Sequence, residues 1–339
     1  MSIIPDISRR GLMAAAALSV AALAGCSAGT PAGSAGSGAA GGSAARADQT
    51  PETVTIQSLN AEGQTVDLEV PYDPERIAIL DMASLDILDS IGVGDRVVGM
   101  ADTSLEYLQD YAGNDQIANL GTIKEADLEA VMACEPDVIF IGERLSSVYD
   151  DLSEIAPVVY LATDSEKGVV ESVRDNATTI ASMFGLEGEV EGLMADFDDR
   201  IAELSQAAEG HTALVSLFTS GSVNVLGSDG RCSIISKEVG FTNLADGEVT
   251  ATHGNEVSFE TIVELDPEYI FVLNRDAAIG ADGAEQAQEV VENELTRQTQ
   301  AYQNGNIVYL EHPAVWYTAE GGIEALNVML QDLEDALLS

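Results

Sequence analysis

Basic side chains are scarce in this sequence. Fourteen lysines and arginines stand against 58 aspartates and glutamates, which gives a formal net charge of −44. An electrostatic field of that sign repels polyanions, so the composition excludes nucleic acid and an anionic membrane surface as partners. Most of the carboxylates are expected to form a solvated, soluble surface. Because cations are so few, an arginine at a conspicuous place in the fold becomes informative.

Histidine and cysteine are equally rare. His211, His253 and His312 have no metal-ligand spacing, and neither do the cysteines, which argues against a site for bare zinc or manganese. Cys134 and Cys232 fall in different halves of the chain and are expected to be free thiols. No nucleophile-elbow glycine pattern and no paired-carboxylate motif is present. The enzyme alternative is an extracytoplasmic hydrolase that uses Cys232 or a serine with His253.

No apolar run in the amino-terminal region reaches the ~20 residues that a membrane-spanning helix needs. Arg9 and Arg10 precede a short apolar stretch over 12–24, and this order resembles a twin-arginine export signal. Leu-Ala-Gly-Cys at 23–26 resembles a bacterial lipobox, so residues 1–25 are expected to be a signal peptide and Cys26 the lipidated residue. The alternative is an uncleaved signal anchor with an incidental cysteine. Residues 26–50, rich in Gly, Ser and Ala, then predict a flexible tether.

One segment of the chain occurs twice. Residues 127–144 align without a gap on residues 258–275. Each copy predicts a short helix, a proline turn, a buried strand and an arginine at the carboxyl end of that strand, which is where ligands bind in open α/β sheets. Two similar lobes are therefore predicted to present cations to a shared cleft and to bind an anion there. The matched residues are Glu129 and Glu260, Pro136 and Pro267, and Arg144 and Arg275.

Apolar runs of strand length alternate with helical patterns along the rest of the chain, as in βαβ units. Gly168–Phe184 has apolar residues at helical spacing and predicts one long helix between the lobes. A second helix is predicted over Val190–Leu204. The expected fold class is α/β, with two Rossmann-like lobes joined by a single long helix and a ligand cleft between them. The predicted boundaries are an amino-terminal lobe at 51–164, the interlobe helix at 165–186 and a carboxyl-terminal lobe at 187–339.

Several stretches, in this order and after a lipobox and tether, resemble the solute-binding lipoproteins of bacterial ferric-siderophore ABC importers. The likeness is to the branch that takes catecholate and mixed catecholate–carboxylate ligands such as petrobactin, and it covers roughly residues 52–338. The resemblance implies two α/β lobes bridged by one long helix. The stretches are Ser84-Leu-Asp-Ile-Leu-Asp, Ile155-Ala-Pro-Val-Val-Tyr-Leu161, Thr252-His-Gly-Asn-Glu-Val-Ser-Phe-Glu260, Asn274-Arg-Asp-Ala-Ala-Ile-Gly280 and Val315-Trp-Tyr317.

The resemblance implies that Arg144, Arg231 and Arg275 bind an anionic ferric chelate as a triad. Permanently charged, planar guanidinium groups suit an oxygen-rich polyanion, and the chelator already fills the coordination sphere of the iron. The protein then needs no metal ligand and no cofactor of its own. The alternative is that these arginines pair with nearby acids. Trp316 and Tyr317 are expected in a loop where they stack on an aromatic ligand or on an arginine plane, with a core tryptophan as the alternative.

Further roles follow from the same resemblance. His253 and Asn255 are expected to support the shape of the cleft without direct ligand contact. Glu129 and Glu260 complement the dipoles of their helices, and the resemblance adds docking to the two permease subunits. The chain is thus expected to be a monomer, lipid-anchored on the outer face of the cytoplasmic membrane, that delivers a ferric siderophore to an ABC permease. A haem or corrinoid carrier is a further alternative.

Overall fold

The computed structural model describes residues 51–247 and 254–338, within which no helix is long and apolar enough to cross a membrane. The strands are β1 Thr53–Leu59, β2 Thr65–Pro71, β3 Ile77–Leu80, β4 Val97–Met100, β5 Ala118–Asn119, β6 Gly121–Thr122, β7 Glu125–Ala126, β8 Val138–Ile141, β9 Val158–Tyr160, β10 Thr212–Thr219, β11 Ser222–Leu226, β12 Thr242–Asn243, β13 Asn255–Glu256, β14 Tyr269–Asn274 and β15 Ile307–Tyr309. The α-helices are α1 Met82–Ser90, α2 Gln109–Ala112, α3 Leu128–Ala133, α4 Tyr149–Ser153, α5 Val169–Ser182, α6 Glu187–Leu193, α7 Phe197–Ala208, α8 Ile234–Lys237, α9 Phe259–Leu265, α10 Arg275–Ala278, α11 Ala287–Val291, α12 Gln300–Asn304, α13 Pro313–Thr318 and α14 Ile323–Leu337.

Two main sheets confirm the predicted α/β class with two lobes. The first is parallel, in the order β5-β4-β3-β8-β9, and the second has the order β13-β11-β10-β14-β15 with β12 beside β10. In the second sheet β14 is parallel to β10 and β15, whereas β11 and β13 are antiparallel additions. Strands β3 and β8 are buried along their whole length because helices cover both faces of a parallel sheet.

The predicted interlobe helix is observed as α5, between the last strand of the first sheet and the first strand of the second. Its first turn donates the backbone N–H groups of Val169 and Val170 to the carboxylate of Glu238, which lies 68 residues or more along the chain. This carboxylate satisfies amide groups that no helix can bond internally. The helix predicted over 190–204 is instead two helices, α6 and α7, with a turn at residues 194–196. Two glycines in α6 weaken its helical preference.

The duplicated segment forms the same structure twice. Helix α3, a turn and strand β8 in the first lobe correspond to helix α9, a turn and strand β14 in the second. Glu135 and Asp266 occupy matched positions before the prolines, and both adopt left-handed backbone conformations, with φ of 46° and 44°. Strands β8 and β14 each have parallel neighbours on both sides. The repeat therefore places an arginine after an interior strand in each lobe.

The final helix is held by a residue of the first helix. The buried carboxylate of Asp86 in α1 accepts the backbone N–H groups of Glu324 (2.8 Å) and Ala325 (2.8 Å) in the first turn of α14. The Tyr107 hydroxyl donates to the same carboxylate (2.9 Å). Burial raises the pKa of Asp86 to about 6, although these hydrogen bonds favour the ionised form. Asp86 therefore caps a helix that lies 238 residues later in the chain.

Gly322→Ala is expected to lower the free energy of unfolding by about 1–3 kcal/mol. A Cβ atom at this position would lie 2.3 Å from the Asp86 Oδ2 atom, and the φ of −95° is ordinary for alanine, so the penalty is steric. The matched control is Gly188→Ala in α6, where a Cβ meets no atom of the described residues within 4 Å; it should be neutral or stabilising by up to about 1 kcal/mol. Urea unfolding followed by circular dichroism measures both. Equal stabilities of the two variants would contradict this account of the contact.

Candidate functional site

Three arginines converge on one aromatic ring. The guanidinium carbons of Arg231, Arg275 and Arg144 lie 4.3, 5.7 and 6.0 Å from the centre of the Tyr317 ring. Arg144 follows β8, Arg275 opens α10 directly after β14, and Arg231 lies in the loop between β11 and α8. The sequence-based expectation that cations from both lobes face one another therefore corresponds to a real cluster. Cation–π attraction stabilises a guanidinium at such distances from an aromatic face.

Tyr317 and its backbone hold two of these arginines in place. Arg275 Nε donates to the Tyr317 hydroxyl (3.0 Å), and Arg275 Nη1 donates to the Thr219 hydroxyl (3.2 Å). Arg231 Nη1 donates to the backbone carbonyls of Tyr317 (2.7 Å) and Trp316 (3.3 Å). The Nε atom of Arg231 is buried and has no hydrogen-bond partner among the residues that the structure describes. Arg144 is exposed. The cluster thus keeps donor capacity that its own contacts do not use.

Two neighbouring cavities open beside this cluster. The first, of about 410 Å³, is lined by Arg144, Arg231 and Tyr317, and the second has a volume of about 570 Å³. Both volumes fall in the range of small-molecule sites. Arg275 is not among the residues that line either cavity, and it reaches the cluster through the Tyr317 hydroxyl. The residues that the two cavities share are Glu143, Thr163, Arg231 and Glu320.

The alternative, that nearby acids pair with these arginines, applies to Arg275 alone of the three among the described residues. Arg275 Nη1 lies 3.6 Å from Asp276 Oδ1, but that carboxylate also accepts the backbone N–H of Ser220 (2.7 Å). Among the described residues, neither Arg144 nor Arg231 is within ion-pair distance of a carboxylate. Elsewhere in the fold, by contrast, Arg200 makes a two-pronged bond to Glu334 at 2.6 and 2.9 Å. The arginines of the cleft are therefore held differently from an arginine used for structure.

Two acidic residues of the first cavity were not anticipated from the sequence. Asp81, at the carboxyl end of β3, accepts the backbone N–H (2.9 Å) and hydroxyl (2.8 Å) of Ser84. Burial raises the pKa of Asp81, although its bonds to Ser84 and the Arg144 charge act in the opposite direction. Glu320 accepts the backbone N–H of Cys232 (3.0 Å). The position of Asp81 after a parallel strand was a usable signal, whereas nothing in the sequence marks Glu320.

The structure corrects the expectation for Trp316. Trp316 and Tyr317 lie in helix α13, not in a loop, and Trp316 is wholly buried with its Nε1 donating to Asp332 Oδ2 (2.8 Å). A tryptophan with no exposed surface cannot stack on a ligand, so the core alternative is correct. Pro313 starts the helix here, because a proline at the first helical position lacks only an N–H that has no internal partner. Tyr317 is also largely buried, but it lines the first cavity.

The other candidate residues are placed as follows. Glu129 and Glu260 are exposed in the first turns of α3 and α9, behind the N-caps Asp127 and Ser258. Asn255 begins β13, beside β11. Cys26 and His253 lie outside the described residues. Within the described part of the chain, Cys134 and Cys232 are free thiols, as expected, and both are buried.

Comparison with known proteins identifies a family and several solved structures that resemble this chain. The periplasmic binding protein family matches residues 77–314. The petrobactin-binding protein YclQ of Bacillus subtilis is 33% identical over 294 residues, which cover 86% of this chain and 90% of that protein. The crystal structure of YclQ superposes with a TM-score of 0.78 at 32% identity, over 85% of this chain and all of that one.

Two further crystal structures resemble the chain to a similar extent. The iron uptake ABC transporter substrate-binding protein PiuA of Streptococcus pneumoniae has a TM-score of 0.77 at 32% identity and is covered completely by 85% of this chain. The periplasmic catecholate-siderophore binding protein VctP of Vibrio cholerae has a TM-score of 0.76 at 28% identity, with coverage of 83% and 100%. The family match spans well over half of the sequence and agrees with the two-lobed α/β fold. The chain therefore belongs to the periplasmic binding protein family.

Proposed function

We propose that this chain is an extracytoplasmic receptor that captures a ferric siderophore of catecholate or mixed catecholate–carboxylate type and delivers it to an ABC permease. The observation that carries the proposal is the cluster of Arg144, Arg231 and Arg275 around Tyr317. Such a chelate is anionic and rich in oxygen acceptors, and guanidinium groups bind it through charge-assisted hydrogen bonds. Relatives named for petrobactin and catecholate siderophores support this ligand class.

The chemistry of the cleft favours binding of an intact chelate over the alternatives. Within the described ranges, no group of three or more His, Cys, Asp and Glu side chains could hold a bare metal ion. A hydrolase built on Cys232 would need a thiolate, and burial raises the pKa of this thiol well above its usual range. A haem or corrinoid carrier would not obviously need three arginines. The proposed receptor binds reversibly, without a cofactor and without a chemical step.

Attachment and delivery complete the proposal. Cys26 is proposed as the lipidated residue that holds a monomer at the outer face of the cytoplasmic membrane, with residues 26–50 as its tether. Glu129 and Glu260 are proposed to dock on the two permease subunits. They support this role by standing exposed at equivalent positions of the two lobes, on the side of each sheet where the strands end.

Replacing Arg144, Arg231 or Arg275 singly with alanine is expected to weaken capture by about tenfold to a hundredfold, since a hydrogen bond to a charged group contributes about 1.5–3 kcal/mol. Lysine at the same positions should restore only part of the affinity, because the planar fork is lost. The measurement is titration with ferric siderophores, apo-siderophores and iron(III) salt, followed by the fluorescence of Trp316. Arg297→Ala is the control, since this exposed arginine contacts Tyr302. Unchanged affinity in all three alanine variants would refute the assignment.

Glu129→Arg and Glu260→Arg are expected to leave ferric-siderophore affinity unchanged while reducing uptake of the iron-55 complex by cells at least severalfold. A reversed charge at a docking surface opposes cations on the partner. Glu264→Arg, an exposed residue of the same helix α9 as Glu260, is the matched control and should transport normally. Normal uptake in the double variant Glu129→Arg/Glu260→Arg would exclude a docking role, whereas loss of binding would show that the changes act on the fold.

A further inference from the structure

Glu320 occupies an unusual position for an acidic residue. It follows α13, lines both cavities together with Arg231, and is only partly exposed. Its Oε1 atom accepts the backbone N–H of Cys232 (3.0 Å). The Nη1 atom of Arg231 donates to two backbone carbonyls. Among the ion pairs of the described residues, within 4.0 Å, there is none between Arg231 and Glu320. A carboxyl group thus borders a site for an anion without being locked to the arginine beside it.

The groups around Glu320 act on its negative charge in both directions. Arg231 is the cation beside it, and the adjacent Cys232 thiol has a raised pKa and is neutral. Glu238, which is committed to the first turn of α5, acts on Glu320 as a like charge. The charged and titratable groups that line the two cavities with it are Asp81, Glu143, Arg144, Asp164, Asp229, Arg231, Asp246 and Tyr317, and Asp229 is paired with Lys237 at 2.6 Å.

Burial raises the pKa of Glu320 to about 7, because desolvation outweighs the favourable Arg231 charge and the Cys232 N–H. Near neutral pH, the free energy needed to protonate this carboxyl is therefore small. An anionic ligand on Arg231 would add a second negative charge close to Glu320. Repulsion between like charges favours the neutral form of the acid, so ligand binding raises this pKa further.

We infer that Glu320 sets the charge of the cleft and takes up a proton when an anionic ligand binds, so that capture weakens as the solution becomes more alkaline. The direction of this pH dependence follows from the coupling of proton binding to ligand binding. The complex holds a proton that the free protein releases above neutrality, and the apparent affinity must therefore fall as pH rises. This inference rests on the proposed function, because it concerns the same ligand and the same arginines. Glu320 affects the bound ligand through its charge and through Arg231, which makes it a positioning residue.

The test is the pH dependence of the affinity for ferric petrobactin in the full chain and in Glu320→Gln. Between about pH 6 and about pH 8.5, the Kd of the unmodified protein should rise by about tenfold more than that of the variant. Comparing the two proteins with one probe cancels any change in the probe itself. Calorimetry in two buffers of different ionisation enthalpy should show proton uptake in the unmodified protein and less in the variant. Glutamine keeps an oxygen for the Cys232 N–H, and thermal unfolding verifies its fold.

Two further variants make the outcome specific. Glu143→Gln is the same substitution at an exposed residue of the same cavities, and it should change affinity by a similar factor at every pH. Glu320→Asp should keep the pH dependence, because it keeps a carboxyl group. Equal pH slopes in the unmodified protein and Glu320→Gln would overturn the inference while leaving the receptor function intact. No binding of any ferric siderophore at any pH would overturn both.

Discussion

The contact on which the site depends is the one between the Tyr317 ring and three guanidinium groups. Three like charges within 6.0 Å of one point repel one another, and the electron-rich face of an aromatic ring offsets part of that repulsion. Backbone carbonyls of helix α13 supply more negative partial charge to Arg231. These partners are neutral overall, so they fix the arginines without cancelling them. An incoming anion meets donors that are already in place.

This arrangement also explains how so acidic a chain can receive an anion. A net charge of −44 produces repulsion at a distance, and solvent ions screen that repulsion over about 10 Å. Inside the cleft the balance is local. Asp81 and Glu320 border it, but hydrogen bonds from Ser84 and Cys232 occupy them, and burial makes their ionised forms costly. The site therefore depends on a few short-range contacts and not on the field of the whole molecule.

Features that depend on local sequence were predictable, and features that depend on distant contacts were not. The repeated segments predicted the strands and the positions of Arg144 and Arg275, because hydrophobic patterns and a proline turn encode them locally. Trp316 was misplaced, since the partner that holds it, Asp332, lies sixteen residues away on another helix. The place of Glu320 in the site could not be predicted from the sequence, because only the fold brings this residue close to Arg231. The single helix predicted over 190–204 is two helices, because a periodic apolar face does not reveal a turn between two helices that share it.

The bond from Asp86 to the first turn of α14 has a consequence for the order of events during biogenesis. Helix α1 belongs to the first sheet's lobe, yet the helix whose first turn it caps lies 238 residues further along the chain. Until α14 has emerged from the ribosome, this side of α1, with the Asp86 carboxylate, faces water. The amino-terminal lobe therefore cannot complete its core until α14 has been synthesised, however early the strands of its own sheet are available.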